Sequence, residues 1–311
     1  MHKKLWEASI SQKKNSNLAH FEKFLNQKFK FKGKYNFKKL LIWSIKKPNL
    51  FWSAVWDFSK VKGIKSTKYK KTKKFIDNKF LLNSKLNFSE NLLSKANNEK
   101  AVTFISENGF KEVRTWKELK NNTENLSNFF LSHKISSNDR IAAYMPNQIE
   151  TVECFLATSA IGAIWSSCSP DFGTPGLIER FSQIKPKILI LTDRYYYNGK
   201  EISIIERLPD ILNKIKSIKK VLVFSYPGKK LLNFKIKKKI KIFYKKDIPR
   251  SNYNIFKYKK FDFEKDLAIL YSSGTTGKPK CICHRSGGVL LQHLKEHQLH
   301  CEIKPGDNIF Y

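Results

Sequence analysis

From about residue 100 onward, short apolar runs alternate with longer stretches whose apolar residues recur at helical spacing. Two of the longer stretches, 115–133 and 148–163, predict helices, and Thr115 and Glu118 stand where a capping box would begin the first. Strands are predicted at the apolar runs KAVTFIS (100–106), RIAAYMP (140–146) and KILILTD (187–193). This alternation predicts an α/β fold with mostly parallel sheets and with helices layered between and around them.

The alternation continues to about residue 226. Thr174 before Pro175 predicts the N-cap and first turn of a helix. A further helix is expected near 201–218, followed by the strand KVLVFSY (220–226). Residues 227–262 place lysine in near alternation with Ile and Phe, which predicts an exposed strand that turns lysine toward solvent.

The first 95 residues differ from the rest, because they are rich in lysine and aromatic residues and show no regular alternation. Five large rings lie close together in this part: Trp43, Phe51, Trp52, Trp56 and Phe58. Such rings gain more from mutual burial than from exposure, so we expect a packed helical element rather than a surface that stacks nucleic-acid bases. The predicted division is an N-terminal region at 1–95 and a second domain at 96–311.

The formal charge of +34 would by itself indicate nucleic acid or an anionic membrane as the partner. The charge is uneven, however, since residues 1–100 carry 25 Lys and Arg against 6 Asp and Glu, whereas residues 101–192 carry 9 of each. Only 7 of the 60 basic residues are arginine, the residue that best binds phosphate and guanine. We therefore expect solvated lysines and no nucleic-acid partner, and keep a basic nucleic-acid or membrane-surface binder as an alternative.

The five cysteines are odd in number and widely spaced, as is typical of reduced thiols. The first residues carry positive charge but no apolar run of signal-peptide length. The longest uncharged stretch, 154–170, is short for a membrane span and contains Ser, Thr and Pro. We therefore expect a soluble, cytoplasmic protein without membrane insertion.

Two stretches with histidine or cysteine suggest a metal site, and in both we favour a structural role. His293, His297 and His300 recur at helical spacing along the edge of an apolar face, as residues packed at a domain seam do. Cys281 and Cys283 would share one face of a strand, but no second cysteine pair follows, so small buried residues are expected. The sequence therefore predicts no metal ligands.

The apolar strand pattern DLAILYSS (266–273) leads directly into SGTTGKPK (273–280). Hydroxyl groups, glycine backbone and lysine can together direct many donors at one anion, as a polyphosphate requires once it leaves water. The stretch is not a Walker A loop, because Ser272 and Pro279 replace the residues that this pattern requires. The predicted phosphate-binding residues are Ser272, Ser273, Gly274, Thr275, Thr276, Gly277, Lys278 and Lys280.

LYSSGTTGKPK (270–280) resembles the signature of the adenylate-forming enzymes, which include acyl-CoA synthetases, luciferases and the adenylation domains of peptide synthetases. Longer segments resemble the acetoacetate-CoA ligases within that family: LWEAS (5–9), AAYMPNQIETVECFLATSAIGAIWSSCSPDFG (142–173) and KCICHRSGGVLLQHLKEHQLHCEIKPGD (280–307). The matching segments are spread over nearly the whole chain, so the resemblance does not depend on a single motif.

The resemblance implies a two-step reaction. A carboxylate attacks the α-phosphate of ATP and pyrophosphate leaves; the thiol of coenzyme A then displaces AMP from the acyl-adenylate. Acetoacetate, ATP, Mg²⁺ and coenzyme A are the implied substrates and cofactors, and Lys280 is the implied phosphate-facing lysine. Another carboxylic acid of short or medium chain length stays open as the substrate.

The resemblance also implies that coenzyme A approaches the segment after 187–193, which would nominate Arg194 and Lys200; two solvated cations are the alternative. Family members have a large N-terminal part and a small mobile C-terminal domain, and this sequence resembles the first half. The segments for adenine, ribose and Mg²⁺ and the lysine that assists adenylation are expected beyond Tyr311. We therefore expect a partial adenylation domain at 96–311, with no catalytic residue of its own and no turnover alone.

Overall fold

The computed structural model describes residues 5–34, 36–236, 240–250, 256–272 and 277–310. The chain divides into two compact units, which are described separately. The first unit comprises Met1–Leu86, Asp262–Glu264 and Gly287–Tyr311, and the second comprises Asn87–Phe261 and Lys265–Ser286. The predicted division at residue 95 stays a prediction, because a compact unit and a family domain are defined by different properties.

The helices are α1 (Ile10–Asn15), α2 (Asn17–Phe29), α3 (Phe37–Lys46), α4 (Pro48–Phe58), α5 (Phe88–Leu92), α6 (Trp116–Ser132), α7 (Ile149–Ala160), α8 (Gly173–Ile184), α9 (Leu208–Lys214) and α10 (Ser286–Lys295). The strands are β1 (Gly63–Ile64), β2 (Lys68–Lys70), β3 (Lys79–Leu82), β4 (Lys85–Leu86), β5 (Lys100–Ile105), β6 (Lys111–Thr115), β7 (Arg140–Tyr144), β8 (Ile164–Cys168), β9 (Ile188–Thr192), β10 (Arg194–Tyr197), β11 (Lys200–Ser203), β12 (Lys220–Phe224), β13 (Lys241–Tyr244), β14 (Phe261–Asp262), β15 (Asp266–Ser272) and β16 (Lys280–Arg285). Short 3-10 helices lie at Phe75–Asp77, Pro170–Phe172, Ile205–Arg207 and Lys245–Asp247, and a π-helix lies at Glu296–His300. No helix of the described ranges is long and apolar enough to cross a membrane.

Packed aromatic rings join the helices of the first unit. Phe21 of α2 lies 6.1 Å from Phe51 and 5.1 Å from Phe58, both on α4, measured between ring centroids. Trp43 of α3 lies 6.5 Å from Phe51, and Trp56 is buried. These edge-on contacts confirm the predicted helical element held together by aromatic burial.

The second unit is built on a seven-stranded sheet with the order β13-β12-β9-β7-β8-β15-β16. Every neighbouring pair from β13 to β15 is parallel, and β16 alone pairs antiparallel with its neighbour β15. The predicted α/β fold with a mostly parallel sheet is therefore confirmed. A parallel sheet also places the carboxyl ends of its strands at one edge.

Helices cover both faces of this sheet. On one face, Phe181 of α8 belongs to the same buried cluster as Leu189 of β9. On the opposite face, Phe155 of α7 lies 5.9 Å from Trp165 of β8, between ring centroids. All five residues of β9 are buried, as expected for a strand that lies between two layers of helix.

Two predicted helix starts had different outcomes. Thr115 caps α6, and with Glu118 it forms the predicted capping box. The predicted N-cap at Thr174 is wrong, because α8 already begins at Gly173 and has no side-chain cap. The 3-10 helix at Pro170–Phe172 leads straight into α8, so the cap lies earlier, on Ser169, whose side chain accepts the Asp171 N–H.

The helix predicted at 201–218 is wrong over its first half. Residues 194–203 form the antiparallel hairpin of β10 and β11, and within the predicted range helix is confined to the 3-10 helix at 205–207 and the α-helix at 208–214. Asn198 and Gly199, which connect the two strands, both have positive φ, at 50° and 72°. An Asn-Gly pair in this conformation is the preferred two-residue hairpin turn, so the sequence did contain the signal.

The predictions for the two edge strands of the sheet had different outcomes. An exposed strand was predicted within 227–262. Among the described residues of this range, β13 joins the large sheet, as a parallel strand at its edge. Cys281 and Cys283 lie on β16, the opposite edge strand, and both are exposed. The prediction that they are buried is wrong, because five of the six residues of β16 are exposed, so its two faces are not covered as those of the central strands are.

The helix α7 is buried over most of its length, as its sequence predicts, and it also buries two carboxylates. Glu153 accepts hydrogen bonds from Asn122 Nδ2 at 2.7 Å and Arg114 Nε at 3.3 Å. Glu150 pairs with Lys245 Nζ at 2.7 Å. Burial nevertheless raises the pKa of Glu153 to about 6, because removing the carboxylate from water outweighs these partners.

We predict that Glu153→Gln removes a pH-dependent part of the folding stability. The folded-state pKa of Glu153, about 6, lies above the ordinary value of 4.5. The folded state therefore holds this proton more tightly, and the resulting stabilisation is complete below the ordinary pKa and lost as pH rises through 6. Denaturant unfolding between pH 4.5 and 7 should show the wild type losing about 2 kcal/mol of unfolding free energy relative to E153Q.

Glu179→Gln is the matched control for this experiment, because Glu179 is exposed and the substitution is chemically the same. Its difference from the wild type should stay nearly constant with pH. A difference between wild type and E153Q that does not change across this range would contradict the prediction.

Candidate functional site

The predicted phosphate loop connects β15 to β16, which pair as an antiparallel hairpin. The base of the hairpin pairs Ser272 with Lys280. Four predicted residues lie outside the described part of the chain: Ser273, Gly274, Thr275 and Thr276. Because β15 runs parallel to β8, the loop leaves the sheet at the carboxyl edge of the parallel strands, where open α/β sheets bind ligands.

Gly277 turns the chain toward β16. Its φ is +98°, a backbone conformation that residues with a side chain rarely adopt, and a Cβ placed there would meet no atom of the described residues within 4 Å. The backbone conformation, rather than crowding, therefore requires glycine. Lys278 and Lys280 follow it and are exposed.

The charges of these two lysines are not neutralised within the described structure. None of the ion pairs between described residues includes Lys278 or Lys280. Two ammonium groups on neighbouring lysines that flank Pro279 at the start of β16, without an ion-pair partner in the described ranges, make a suitable site for a multiply charged anion.

Helix α8 holds the exit of the loop through the Gln183 side chain. Gln183 Nε2 donates to the carbonyl oxygens of Pro279 and Glu179, each at 3.0 Å. Gln183 Oε1 accepts from Cys281 Sγ at 3.7 Å. One amide side chain thus fixes Pro279 and Cys281 to the end of α8.

Tyr271 joins β15 to β8 and α8 directly before the loop. Its hydroxyl lies 3.1 Å from Ser166 Oγ and donates to the Arg180 carbonyl oxygen at 3.4 Å. Ser166 Oγ also donates to the Ile269 carbonyl oxygen at 2.9 Å. Burial raises the pKa of Tyr271 to about 12, so the phenol stays protonated at neutral pH and the network remains intact.

An arginine lies on the same helix, beside this tyrosine. The guanidinium carbon of Arg180 is 4.0 Å from the centroid of the Phe172 ring and 5.9 Å from that of Tyr271. Arg180 Nη1 also donates to the Gly176 carbonyl oxygen at 2.9 Å. Stacking on Phe172 fixes the direction of the guanidinium while keeping its positive charge.

Sequence reasoning did not identify Gln183, Tyr271 or Arg180 as part of this site. A polar residue near the end of an amphipathic helix has no spacing that indicates which loop it will contact. Tyr271, however, directly precedes the predicted loop residues, and its position at the end of an apolar strand was a usable signal. The contacts themselves depend on the packing of α8 against β8 and β15.

The two residues predicted to contact coenzyme A lie at opposite ends of one hairpin. Arg194 is buried, and it donates to Asp193 Oδ2 at 3.1 Å, Glu201 Oε1 at 2.8 Å and the Lys230 carbonyl oxygen at 2.7 Å. Lys200 is exposed at the turn, about 10 Å along the strands from Arg194. The structure does not bring them together, and their assignment to coenzyme A stays a prediction.

The histidine stripe keeps its predicted spacing in the first unit. His293 on α10 and His297 in the π-helix stack with their ring centroids 5.9 Å apart, and both are exposed, as is His300. Their predicted packing at a domain seam stays a prediction. Across the described ranges, no three His, Cys, Asp or Glu side chains are grouped as a metal ion would require.

Comparison with known proteins gives the same family from sequence and from structure. A family model described as "AMP-binding enzyme" matches residues 91–310. The acetoacetyl-CoA synthetase of Rhizobium meliloti (strain 1021) is 37% identical over 287 residues, which cover 86% of this chain and 41% of that protein. The malonamoyl-CoA synthetase vrtB of Penicillium aethiopicum is 30% identical to this chain. The aligned region covers 99% of this chain and 44% of that protein.

A solved structure, the acetoacetyl-CoA synthetase from Streptomyces lividans, superposes on this fold with a TM-score of 0.90. It is 26% identical, and the match covers 98% of this chain and 47% of that one. The chain thus spans a little under half the length of the relatives that it matches.

We predict that Gln183→Ala loosens the exit of the loop. Losing the hydrogen bonds to Pro279 and Cys281 should speed amide hydrogen exchange at residues 277–282 by about five-fold, because each net hydrogen bond contributes about 1 kcal/mol. Hydrogen exchange followed by mass spectrometry measures this rate. Ser182→Ala, at the exposed neighbouring position of α8, should leave it unchanged, and equal exchange in all three proteins would disprove the role of Gln183.

Proposed function

This chain belongs to the family of AMP-binding enzymes, and from that premise we propose that the whole protein is an ATP-dependent acid–thiol ligase that forms acetoacetyl-CoA. Its proposed substrates are acetoacetate, ATP and coenzyme A, and its other products are AMP and pyrophosphate. The support is the similarity of most of this chain to proteins named acetoacetyl-CoA synthetase.

The observation that carries the proposal is the lysine-bearing exit of the β15–β16 hairpin. Lys278 and Lys280 are exposed, have no ion-pair partner among the described residues and follow a strand that ends at the ligand-binding edge of the sheet. A site for a polyphosphate needs positive charge of this kind, held by a fixed backbone.

The chemistry explains why such a site is useful. A carboxylate has no good leaving group, so its transfer to a thiol needs prior activation as an acyl-adenylate. When the carboxylate attacks the α-phosphate, negative charge builds on the departing pyrophosphate, and prepositioned donors stabilise that charge. We propose this role for Lys278 and Lys280, together with Ser272, Ser273, Thr275 and Thr276 and the backbone at Gly274 and Gly277.

Magnesium is the metal that the family resemblance implies for the ATP-dependent step. Mg²⁺ prefers carboxylate and water oxygens, and the described residues include no group of three potential ligands. We therefore assign no metal ligand to the described residues and derive no step through the metal.

For coenzyme A, we propose that Lys200 contacts the phosphates of its nucleotide end. Arg194 would then support this contact indirectly, because its bonds to Asp193 and Glu201 fix the base of the hairpin that carries Lys200. The alternative of two solvated cations stays open for Lys200, but it is wrong for Arg194, which is buried.

A different acid of short or medium chain length is the second candidate substrate. The relative named malonamoyl-CoA synthetase is aligned over nearly all of this chain, at 30% identity. The family features of residues 91–310 are therefore compatible with more than one acid, and the order of preference between acids needs a direct measurement.

We also propose that the protein works in the cytoplasm on small molecules. All five cysteines are free thiols in the structure, three of them exposed. Exposed free thiols are typical of a reducing compartment.

We predict that the 311-residue chain binds inorganic pyrophosphate through Lys278 and Lys280. Replacing both lysines by alanine should weaken binding by about ten-fold or more, because each charge-assisted hydrogen bond contributes about 1.5–3 kcal/mol. Titration calorimetry at low salt measures the affinity. Lys214→Ala, an exposed lysine on α9, should have no effect, and equal affinity in the wild type and the double variant would refute the assignment.

We further predict that the whole protein releases AMP from ATP fastest with acetoacetate as the acid and coenzyme A as the acceptor. An assay with acetoacetate, malonamate, butyrate and octanoate at equal concentration separates the candidates. The 311-residue chain alone should release no AMP. Preference for another acid would support the second candidate, and AMP release by the isolated chain would show that the predicted missing segments are not needed.

A further inference from the structure

A charged cavity of about 180 Å³ lies in the second unit, and its lining residues do not belong to the β15–β16 hairpin. It is situated between α6, α7 and the carboxyl ends of β12 and β13. Its lining residues are Arg114, Asn122, Asn125, Leu126, Glu153, Phe224, Lys245, Ile248 and Arg250. The carboxyl ends of parallel strands are where ligands bind in open α/β sheets, so the position alone makes a ligand site plausible.

The floor of this cavity carries a carboxylate with one uncommitted oxygen. Glu153 is 3% exposed, and its hydrogen bonds from Asn122 and Arg114 both end on Oε1. No hydrogen bond between described residues ends on its Oε2, and the side chain lines the cavity. Oε2 is not one of the fully buried atoms that lack a partner, so it is open to the cavity, where a ligand that donates a hydrogen bond can reach it.

The mouth of the cavity carries positive charge. Lys245 and Arg250 are both exposed there. Lys245 already pairs with Glu150 at 2.7 Å, whereas no ion pair between described residues includes Arg250. Arg250 can therefore take an anionic group in the bidentate geometry that guanidinium favours.

We propose that this cavity binds a small carboxylic acid that also carries a hydrogen-bond donor, the class of α-hydroxy and α-amino acids. The ligand carboxylate pairs with Arg250 at the mouth, and the hydroxyl or ammonium group donates to Glu153 Oε2 on the floor. Leu126, Phe224 and Ile248 line the space between and contact the short alkyl part.

The size and the balance of charge exclude most other ligands. Sites for drug-sized molecules measure about 300–1,000 Å³, so this cavity suits a molecule of only a few heavy atoms. A simple anion would face the Glu153 carboxylate without a donor for it, and a simple amine would leave the Arg250 guanidinium without an anion. A ligand with both groups satisfies both residues.

The raised pKa of Glu153, about 6, agrees with this assignment. A carboxyl group perturbed by burial and placed in a cleft is a common property of binding sites. At neutral pH the group is mostly ionised and accepts a hydrogen bond. The proposal is independent of the ligase function, because it uses none of the residues of the phosphate loop.

A matched set of four small molecules tests the proposal on the 311-residue chain: lactate, alanine, propionate and ethylamine. Lactate and alanine carry both groups, propionate lacks the donor, and ethylamine lacks the carboxylate. Titration calorimetry at pH 7.5 should show binding of lactate or alanine with Kd of about 10 mM or tighter, and at least about ten-fold weaker binding of the other two. If lactate binds more tightly than alanine, the preferred donor is a hydroxyl group; if alanine binds more tightly, it is an ammonium group.

Two variants locate the binding. Arg250→Ala, at an exposed position, should weaken the binding of lactate and alanine by about ten-fold. Glu153→Gln should abolish the preference for these two ligands over propionate. Lys216→Ala, at an exposed cation that does not line the cavity, should leave all four affinities unchanged. Circular dichroism shows whether each variant is folded.

Three results would overturn the proposal. The first is that none of the four molecules binds at concentrations up to about 50 mM, which is well above the expected Kd. The second is equal affinity for lactate, alanine and propionate. The third is that folded Arg250→Ala binds as tightly as the wild type; should Glu153→Gln fail to fold, Arg250→Ala and the set of ligands still decide the question.

Discussion

A strand that is buried on both faces can contact a ligand only near its ends. The buried strands β7 and β9 therefore limit where the second unit can bind a ligand. On one face they share a buried cluster with α8 and α9, and all of β9 and all but the first residue of β7 are buried, so the other face is covered as well. Because the strands are parallel, their carboxyl ends form one edge, and polar groups can be exposed there without opening the core. The phosphate-loop hairpin and the charged cavity both lie along this edge.

The same constraint explains why buried charges in this unit are tied to partners. Asp193 directly follows β9 and is fully buried. It accepts hydrogen bonds from the backbone N–H groups of Tyr226 and Leu232 and from the Arg194 side chain. A carboxylate taken out of water needs several hydrogen-bond donors. Because its donors come from both segments, Asp193 also fixes the loop after β12 to the hairpin of β10 and β11. Glu153 is less well satisfied, and its raised pKa reflects that difference.

Much of the fold could be predicted from local pattern. The runs of β7, β9 and β12 are apolar because both faces are covered, and Thr115 with Glu118 caps α6 through a purely local arrangement. The errors have local causes as well. The Asn198–Gly199 turn was overlooked in a stretch predicted to be helical, and the 3-10 helix before α8 moved its start ahead of Thr174. Cys281 and Cys283 are exposed because the faces of the edge strand β16 are not covered, and neither strand order nor coverage can be read from the strand's own sequence.

The fold class, the position of the loop at 272–280 and the family resemblance could be predicted from the chain alone, because these depend on residue types at short spacing. Which side chains support that loop, and which form the cavity, became visible with the packing of the second unit. Gln183 reaches Pro279, and Arg114, Asn122, Glu153 and Lys245 meet around one space, although long stretches of chain separate them. Such contacts depend on how helices cross strands and on the order of strands in the sheet. Hydrophobic burial sets that order over the whole unit, so no short segment specifies it.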